Sequence, residues 1–470
     1  MEKIFKNYGK RIAAIQDNQD VLTYDELFQY AAQLNHSIGK RCLVFQLCSN
    51  TVASLIGYVS FHLNDIVPLL LAEKIDKELF QSLIEIYHPQ YIWASCRAEN
   101  KTAGFEKVFE IKDYALYKTN LDPYPLNDEL ALLLTTSGST GSPKLVRQSY
   151  KNIHSNTESI VSYLEITKDE LPITTLPMNY TYGLSIINSH LYVGATVLLT
   201  DKTLMDKDFW KFFKENSATS FGGVPYTYEM LNRLRFFQMD LPSLRTMTQA
   251  GGKLLPDLHK KYAEYAKEHN KKFIVMYGQT EATARMAYLP ADKSLEKYGS
   301  MGIAIPGGIF KLLDTNNQEI NEPEVAGELV YQGDNVTLGY AECGNDLIKG
   351  DERNGILHTG DIAKRDANGY YYIVGRLKRF LKIFGNRVNL DEAERIIKGQ
   401  FAVKECACTG RDDKMSIFVV EPNQVQLSEI RNFISAKTKL NISAFEVKEI
   451  EQIPKNDSGK ILYKDLEGMI

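Results

Sequence analysis

The apolar and polar positions of the first 130 residues alternate between the pattern of a helix and that of a buried strand. Thr23 followed by Glu26 is a capping-box pattern, and apolar residues recur behind it at helical spacing from Leu27. Apolar runs at 43–47 and 66–70 predict buried strands, and the stretch 51–63 between them predicts a helix. Strands that alternate with helices predict a parallel sheet covered by helices on both faces.

The pattern changes in the second half of the chain. A buried strand is predicted at 131–134, and helical character begins at Ser149. Short apolar alternations separated by glycines, at 327–331 and 370–374, predict a small antiparallel β-subdomain. A further helix is predicted from Asp391, where acidic residues in the first turn suit the helix dipole.

Size and composition limit the classes of protein to consider. A chain of 470 residues is too long for one core and predicts at least two domains. The formal net charge of −4 gives no basic field for nucleic acid or an acidic membrane surface. The six cysteines are scattered without a Cys-x-x-Cys pair, which favours reduced thiols in a cytoplasmic protein over a zinc site. No signal peptide is predicted at the N-terminus, and the apolar stretch 66–72 is too short to span a bilayer.

A loop rich in glycine and hydroxyl groups follows the strand at 131–134. Its predicted phosphate-binding residues are Thr136, Ser137, Gly138, Ser139, Thr140, Gly141 and Lys144. The two glycines free the backbone to point N–H donors at one anion, and the lysine adds a positive charge. The loop is not a Walker loop, because Pro143 stands where that motif has glycine and Leu145 follows the lysine. A plain linker would also explain such a composition.

The whole nonapeptide from Thr136 to Lys144 resembles the phosphate loop of the adenylate-forming superfamily, which includes acyl-CoA synthetases, luciferases and the adenylation domains of peptide synthetases. Every fixed position of that superfamily's pattern, Ser/Thr-Ser-Gly-Ser/Thr-Thr-Gly-x-Pro-Lys, is matched. Further motifs of the superfamily follow in order along nearly the whole chain. The resemblance implies AMP-forming activation of a carboxylic acid to an acyl-adenylate, with ATP and Mg²⁺, followed by transfer to the thiol of CoA or of a carrier protein's phosphopantetheine.

The segment 275–281, Val-Met-Tyr-Gly-Gln-Thr-Glu, resembles the superfamily's Tyr-Gly-x-Thr-Glu motif. The resemblance implies that Tyr277 and Gly278 lie at the adenine, with the tyrosine ring stacked on it. Thr280 would donate to the α-phosphate, and Glu281 would provide a hard oxygen ligand for Mg²⁺. Thr280 and Glu281 are therefore predicted to be catalytic.

The later motifs imply ribose, hinge and lid residues. His-Thr-Gly-Asp ends at Asp361, whose two acceptor oxygens suit the ribose hydroxyls, although Gly-Asp alone is ordinary turn chemistry. By resemblance, Arg376 would contact ribose and phosphate, and Lys378 would be the interdomain hinge. Gly385 would let pantetheine pass close to the backbone. Lys460, in a Pro-x-x-x-x-Gly-Lys pattern, would be the catalytic lysine.

The acid pocket is predicted from three glycine- or tyrosine-bearing segments. Its predicted residues are Tyr180, Tyr182, Gly222 and Gly223, and the Gly251–Gly252 turn would lie beside adenine. Adjacent glycines leave room for a ligand close to the backbone, although core aromatics and ordinary turns would explain the same residues. No Asp occurs at 176–183, which argues against an α-amino acid. The two tyrosines favour a small, aromatic or hydroxylated acid over a long fatty chain.

The resemblance implies an α/β fold with a large multi-subdomain N-terminal domain at 1–377 and a small mobile α+β lid domain at 378–470. The large domain would contain two layered α/β subdomains and a small β-barrel-like subdomain. The expected partners are a small carboxylic acid and, for a stand-alone adenylation enzyme of amino or aryl acids, a carrier protein in place of CoA. Neither nucleic acid nor membrane insertion is expected. A silent nucleotide-binding protein stays open as a different class, and so does a phosphotransferase that releases ADP, which Pro143 disfavours.

Overall fold

The structure, a computed structural model, describes residues 4–135, 144–377, 379–384, 386–422, 425–455 and 461–470. The strands of these ranges are β1 (Ile12–Gln16), β2 (Val21–Thr23), β3 (Leu43–Cys48), β4 (Val67–Ala72), β5 (Tyr91–Ser95), β6 (Glu106–Ile111), β7 (Tyr114–Lys118), β8 (Leu130–Thr135), β9 (Leu145–Ser149), β10 (Pro172–Ile173), β11 (Val197–Leu199), β12 (Ser220–Gly223), β13 (Thr246–Gln249), β14 (Lys272–Tyr277), β15 (Ala287–Tyr288), β16 (Ile303–Ala304), β17 (Ile309–Leu313), β18 (Gly327–Gln332), β19 (Gly339–Ala341), β20 (Ile356–Arg365), β21 (Tyr371–Arg376), β22 (Phe380–Ile383), β23 (Asn386–Asn389), β24 (Glu405–Arg411), β25 (Lys414–Val420) and β26 (Phe445–Glu449). The α-helices are α1 (Tyr24–Ile38), α2 (Val52–Leu63), α3 (Lys77–Tyr87), α4 (Glu99–Thr102), α5 (Tyr150–Leu164), α6 (Thr181–Tyr192), α7 (Lys207–Glu215), α8 (Pro225–Arg233), α9 (Pro256–Glu268), α10 (Leu390–Gln400), α11 (Leu427–Thr438) and α12 (Tyr463–Glu467).

The first helices and strands form where the apolar pattern predicts them. Thr23 caps α1, because its Oγ1 accepts the N–H of Glu26 at 3.2 Å and the Glu26 carboxylate accepts the N–H of Thr23 at 2.8 Å. Every residue of β3 and nearly every residue of α2 is buried. A helix that is apolar all round needs neighbours on all sides, and α2 shares one core with residues of β3, β11 and α6. The predictions at 43–47, 51–63 and 66–70 are confirmed, with bounds shifted by one or two residues.

The chain divides into two compact units. One contains Met1–Ile309 and Tyr331–Leu357, and the other contains Phe310–Val330 and His358–Ile470. The domain boundary expected between residues 377 and 378 stays a prediction, and Lys378 lies outside the described residues. Across the described ranges, no helix is both long enough and apolar enough to cross a membrane.

The first unit contains two large sheets. The strand orders are β19-β9-β8-β4-β3-β5-β7-β6 and β16-β15-β14-β13-β12-β10-β11-β1-β2. In the first sheet β3 pairs in parallel with β4 and β5, and β4 pairs in parallel with β8. The parallel sheet predicted from strand–helix alternation is therefore confirmed at its centre, while β7 and β9 add antiparallel strands on either side.

Three neighbouring parallel strands of the second sheet bring the predicted pocket segments together. β12, β13 and β14 pair in register, with Gly223 opposite Gln249 and Gln249 opposite Val275. Because parallel strands end at the same edge of a sheet, the segments after β12, β13 and β14 lie side by side. This edge is where α/β sheets bind their ligands. The glycines at 222–223 and 251–252 and the motif at 275–281 therefore share one edge.

Strand β19 lies at one end of the eight-stranded sheet, where it pairs with β9. The pairing is antiparallel and sets Tyr340 opposite Val146 and Ala341 opposite Leu145. Lys144, the last residue of the predicted phosphate loop, directly precedes β9. The ladder therefore places Lys144 next to the end of β19.

The second unit contains three smaller sheets. β17-β18-β20-β21 form a four-stranded sheet in which β20 and β21 are antiparallel, as the alternation at 327–331 and 370–374 predicts. β22 and β23 form a hairpin, and β24-β25-β26 form a three-stranded sheet. Residues of α10 and α11 share an apolar core with β24 and β25. The helix predicted from Asp391 is confirmed as α10, which Asn389 caps.

Candidate active site

The structure describes some predicted site residues and leaves others out. Lys144, Tyr180, Tyr182, Gly222, Gly223, Gly251, Gly252, Tyr277, Gly278, Thr280, Glu281, Asp361 and Arg376 are described. Thr136, Ser137, Gly138, Ser139, Thr140, Gly141, Lys378, Gly385 and Lys460 lie outside the described residues. The contacts of the first group are given below, separately for each unit.

Glu281 is held by a tyrosine that the sequence analysis did not identify. The phenol of Tyr340 donates a hydrogen bond to Oε1 of Glu281 at 2.8 Å. Burial, reinforced by the negative charge of Glu281, raises the pKa of Tyr340 to about 12, so the phenol keeps its proton and remains a donor. The backbone carbonyl of Glu281 accepts hydrogen bonds from the N–H of Thr337 and from Nη1 of Arg353, both at 3.0 Å. The carboxylate and the backbone of Glu281 are therefore both fixed.

Lys144 lies on the same tyrosine. Its Nζ is 3.8 Å from the centroid of the Tyr340 ring and 3.3 Å from Oε1 of Glu342. The Arg353 guanidinium also lies over this ring, at 4.6 Å. Tyr340 thus joins the lysine of one predicted motif to the carboxylate of another, and two cations lie against its electron-rich ring.

The motif around Tyr277 begins at the end of β14. Tyr277 is half-buried, and its hydroxyl accepts a hydrogen bond from the amide of Gln279 at 3.2 Å. Thr280 starts a short 3₁₀ turn that extends to Ala282. A Cβ at Gly278 would lie 1.6 Å from the carbonyl oxygen of Ala284, so backbone packing alone requires glycine at this position.

The Gly251 turn lies against Tyr180. Gly251 has a φ of +83°, and a Cβ there would lie 2.6 Å from the Tyr180 hydroxyl. Burial raises the pKa of Tyr180 to about 12, and its side chain remains half-buried. A predicted adenine-side turn and a predicted acid-pocket tyrosine are therefore direct neighbours.

The second pocket tyrosine, Tyr182, is fully enclosed. Only 3% of the residue is exposed, and its hydroxyl donates to the carbonyl of Thr248 at 2.8 Å. A Cβ at Gly222 would lie 2.9 Å from that hydroxyl, and one at Gly223 would lie 2.6 Å from Cγ2 of Thr227. The two glycines thus have a packing role whether or not a ligand approaches them, and the Tyr182 hydroxyl already has a protein partner.

Asp361 and Arg376 are paired in the second unit. They stand opposite one another in the β20–β21 ladder, and Nε of Arg376 lies 3.4 Å from Oδ1 of Asp361. Asp361 is 5% exposed, whereas the Arg376 side chain is 62% exposed. The two residues predicted to contact ribose are therefore neighbours, with the carboxylate oriented by the arginine.

Sequence reasoning missed three residues of this region. Tyr340 and Arg353 hold Glu281, and Arg285 packs on Tyr182 with its guanidinium carbon 3.9 Å from the ring centroid. Nothing in the pattern around Tyr340 distinguishes it from any aromatic residue on an edge strand. Arg285 stands in a mainly apolar stretch, and this lone charge in a buried segment was the available signal.

Comparison with known proteins identifies the family. A family model described as AMP-binding enzyme matches residues 66–341, more than half of the 470 residues. A 2-succinylbenzoate–CoA ligase of Bacillus cereus is 27% identical over 403 residues, which cover 81% of each chain. The oxalate–CoA ligase of Arabidopsis thaliana is 28% identical over 348 residues, which cover 71% of this chain and 66% of that protein.

A solved structure shows the same fold. O-succinylbenzoate coenzyme A synthetase of Bacillus subtilis, in complex with ATP and magnesium ion, superposes with a TM-score of 0.78 at 22% identity and covers 97% of both chains. The predicted α/β architecture is confirmed by this likeness. The chain belongs to the AMP-binding enzyme family, and its predicted activity, ATP-dependent activation of a carboxylic acid as an acyl-adenylate with transfer to a thiol, is confirmed at that level.

Proposed function

We propose that the enzyme is an acid–CoA ligase in which the residues brought together at Tyr340 handle the phosphates of Mg·ATP. The named relatives are CoA ligases, which supports CoA as the thiol acceptor over a carrier protein. Their acids differ from one another, so their names do not indicate the acid of this enzyme. Cytoplasm is the proposed location, because the six cysteines, each of which lies within the described residues, are free thiols.

The observation that carries the proposal is the cluster of Lys144, Tyr340 and Glu281. Lys144 Nζ lies 3.8 Å from the ring whose hydroxyl donates to Glu281 at 2.8 Å. A cation and a carboxylate held close together, without pairing directly, suit a magnesium–phosphate ligand. The cation can contact phosphate oxygens, while the carboxylate can bind the metal.

The described residues fit a magnesium ion that is bound mainly by phosphate. Tyr340 occupies Oε1 of Glu281, which leaves Oε2 as the carboxylate oxygen for a metal. Among the described residues there is no group of three or more His, Cys, Asp or Glu that could hold a metal ion. Mg²⁺ commonly uses one or two carboxylates together with substrate phosphates and water. Bound in this way, the ion would neutralise phosphate charge.

In the proposed first half-reaction, a carboxylate oxygen of the acid attacks the α-phosphorus and pyrophosphate leaves. The acid is already ionised at neutral pH, so no protein base is needed. Lys144 and Lys460 are proposed to contact the negative oxygens of the two substrates, which reduces their mutual repulsion. Thr280 is proposed to donate to the α-phosphate and so to orient it.

The nucleoside contacts and the second half-reaction extend the proposal. Tyr277 and the Gly251–Gly252 turn are proposed to contact adenine, and Asp361 with Arg376 the ribose. In the second half-reaction the thiol sulfur attacks the acyl carbon, and AMP leaves with the bonding electrons. A pivot at Lys378 and approach of pantetheine past Gly385 stay predictions from the resemblance.

The test measures acid-dependent release of pyrophosphate. The protein is incubated with Mg·ATP and a panel of carboxylic acids, with hydroxylamine as a trap for the acyl-adenylate. Parallel samples contain CoA, a phosphopantetheinylated carrier protein, or neither. Pyrophosphate release with thioester formed on CoA is the expected result. Thioester on the carrier alone would overturn the choice of acceptor, and release of ADP instead of AMP would overturn the chemistry.

A further inference from the structure

A buried arginine lies four residues after the Tyr-Gly-Gln-Thr-Glu motif. Arg285 is 2% exposed. Its Nη2 donates to Oγ of Ser185 at 3.0 Å, its Nε approaches the same oxygen at 3.3 Å, and its Nη1 donates to Sδ of Met276 at 3.2 Å. The guanidinium plane also contacts the ring of Tyr182. All of these partners are neutral.

No described carboxylate lies within ion-pair distance of Arg285. Arg285 lines a small cavity, and Glu170 is the one carboxylate among the described residues that line it. Oε1 of Glu170 lies 3.4 Å from Nη1 of Arg245, so it pairs with that arginine. Burying a cation away from water is costly unless an anion accompanies it. The three contacts also use only three of the five N–H groups of a guanidinium. Arg285 therefore has both the charge and the spare donors to bind an anion that the described protein residues do not supply.

Arg285 lines a narrow cavity next to the predicted acid pocket. The cavity has a volume of about 30 Å³ and is also lined by Gly222, Thr248, Ile186 and His190. By volume it accommodates about two water molecules, so it can receive only a small polar group. Tyr182, a predicted pocket residue, contacts two residues that line the cavity. Its ring contacts Arg285 and its hydroxyl donates to the carbonyl of Thr248.

His190 does not supply a second positive charge at neutral pH. Burial lowers the pKa of His190 to about 4, and its Nδ1 lies 2.8 Å from the carbonyl oxygen of Ile186. Among the described lining residues, Arg285 is thus the cation of this cavity. An anionic group that enters the cavity would face one fixed guanidinium.

We propose that Arg285 binds a second carboxylate at the distal end of the acid, so that the preferred substrates are dicarboxylic acids activated at one end. The proposal rests on the proposed function, because it assigns the acid of the same site. A bidentate arginine–carboxylate pair would use the two spare N–H groups and offset the buried charge. A methyl group at the same position would leave the guanidinium unpaired, so the matching monocarboxylic acid is rejected.

The test compares acids that differ only at the distal group. The pairs are succinate and butyrate, glutarate and pentanoate, and terephthalate and 4-methylbenzoate, each measured as kcat/KM for pyrophosphate release. The wild-type enzyme is expected to prefer the diacid of at least one pair by more than tenfold. Arg285→Gln is expected to lose this preference, and Arg285→Lys to retain part of it. Arg233→Gln, at an exposed position in the same unit, is the control and keeps the preference.

A binding measurement separates this inference from the proposed function. The shift in Tm caused by each acid is measured for the wild-type protein and for Arg285→Gln. If no acid releases pyrophosphate, the proposed function fails, whereas a diacid that stabilises only the wild-type protein still supports the arginine site. Equal use of diacid and methyl analogue, or equal Tm shifts in both proteins, would overturn the inference. If Arg285→Gln does not fold, Arg285→Lys takes its place in both measurements, and a reduced preference for the diacid is then the expected result.

Discussion

The phenol of Tyr340 donates to Oε1 of Glu281 at 2.8 Å, while Lys144 lies 3.8 Å from the same ring. The tyrosine thus contacts a lysine with its ring and a carboxylate with its hydroxyl. The carboxylate that pairs with Lys144 is Glu342, at 3.3 Å, so Glu281 is not used to balance the lysine. The hydroxyl and the ring have different partners, so the two effects can be separated by substitution.

Tyr340→Phe is expected to slow adenylation by about 10- to 100-fold, since hydrogen bonds to charged groups contribute roughly 1.5–3 kcal/mol. The ring remains, so its contact with Lys144 is kept. The loss should appear as a higher Mg²⁺ requirement, measured as the rate of pyrophosphate release against Mg²⁺ concentration. Tyr24→Phe removes a buried phenol that donates to the carbonyl of Ala195 at 2.8 Å and serves as the control. An unchanged Mg²⁺ dependence in Tyr340→Phe would contradict the positioning role.

Lys460→Ala is expected to abolish adenylation but to spare thioester formation from a supplied acyl-adenylate. The predicted lysine contacts both reactants only in the first half-reaction, where two negatively charged groups approach one another. Pyrophosphate release from ATP and acyl-CoA formation from synthetic acyl-adenylate are measured separately. Loss of both half-reactions would refute this assignment.

Asp361→Asn is expected to raise the KM for ATP while kcat changes less. The amide keeps the shape of the side chain, but it replaces one acceptor oxygen by a donor and loses the charge that pairs with Arg376 at 3.4 Å. Asp314→Asn, in a turn of the same unit where Asp314 accepts the backbone N–H groups of Asn316 and Gln318, is the control. Equal KM values for ATP in Asp361→Asn and in the wild type would contradict the assignment of Asp361 to the ribose.

Arg285→Met is expected to leave the unliganded protein as stable as the wild type, or more stable by about 1–2 kcal/mol, because it removes a buried unpaired charge. Arg147 provides the contrast. It is fully buried, lies 2.5 Å from Glu352 and donates to the backbone carbonyl of Tyr340 at 3.0 Å. Arg147→Met should therefore cost about 3 kcal/mol or more. Free energies of unfolding from urea titration compare the two, and similar losses would show that Arg285 is structural.

Stability is expected to fall as the pH drops from about 6.5 to 4, because burial lowers the pKa of His259 to about 4. Between these pH values the unfolded chain binds more protons than the folded one, so the free energy of unfolding rises with pH. Below about pH 4 the contribution of the neutral His259 to stability is lost. The backbone N–H of Gly299 donates to Nδ1 of His259 at 3.1 Å, and a proton on Nδ1 would break that bond. Tm against pH for His259→Asn should be flatter than for wild type, whereas His36→Gln, at an exposed position, should match wild type. Parallel curves for all three proteins would contradict this origin.

The sequence predicted the fold and the ordered motifs because both rest on local patterns. Apolar periodicity found α2 and its flanking strands, and short motifs found Glu281 and Asp361. Tyr340 and Arg353 were missed, since their importance comes from contacts with a segment far away in sequence. Arg285 was missed for a different reason. A lone arginine in an apolar stretch is a weak signal, and its burial without a described carboxylate partner is what distinguishes it in the structure.

The glycines show a similar limit. Gly278 was predicted from a motif as a nucleotide-binding residue, yet the Ala284 carbonyl alone requires glycine there. Residues 136–143 of the nonapeptide and Lys460 lie outside the described residues, so their roles rest on resemblance.

Antiparallel pairing between β9 and β19 gives Lys144 and Tyr340 a fixed register. Tyr340 is opposite Val146, so the backbone hydrogen bonds of the ladder set the spacing of the lysine and the tyrosine. In a β-ladder, a slip of one residue turns every side chain to the other face. A slip of one residue in this ladder would move Tyr340 off the face that meets Glu281 and leave the composition of the site intact. The register of β19, which no catalytic motif records, therefore determines whether the two segments proposed to contact phosphate lie together.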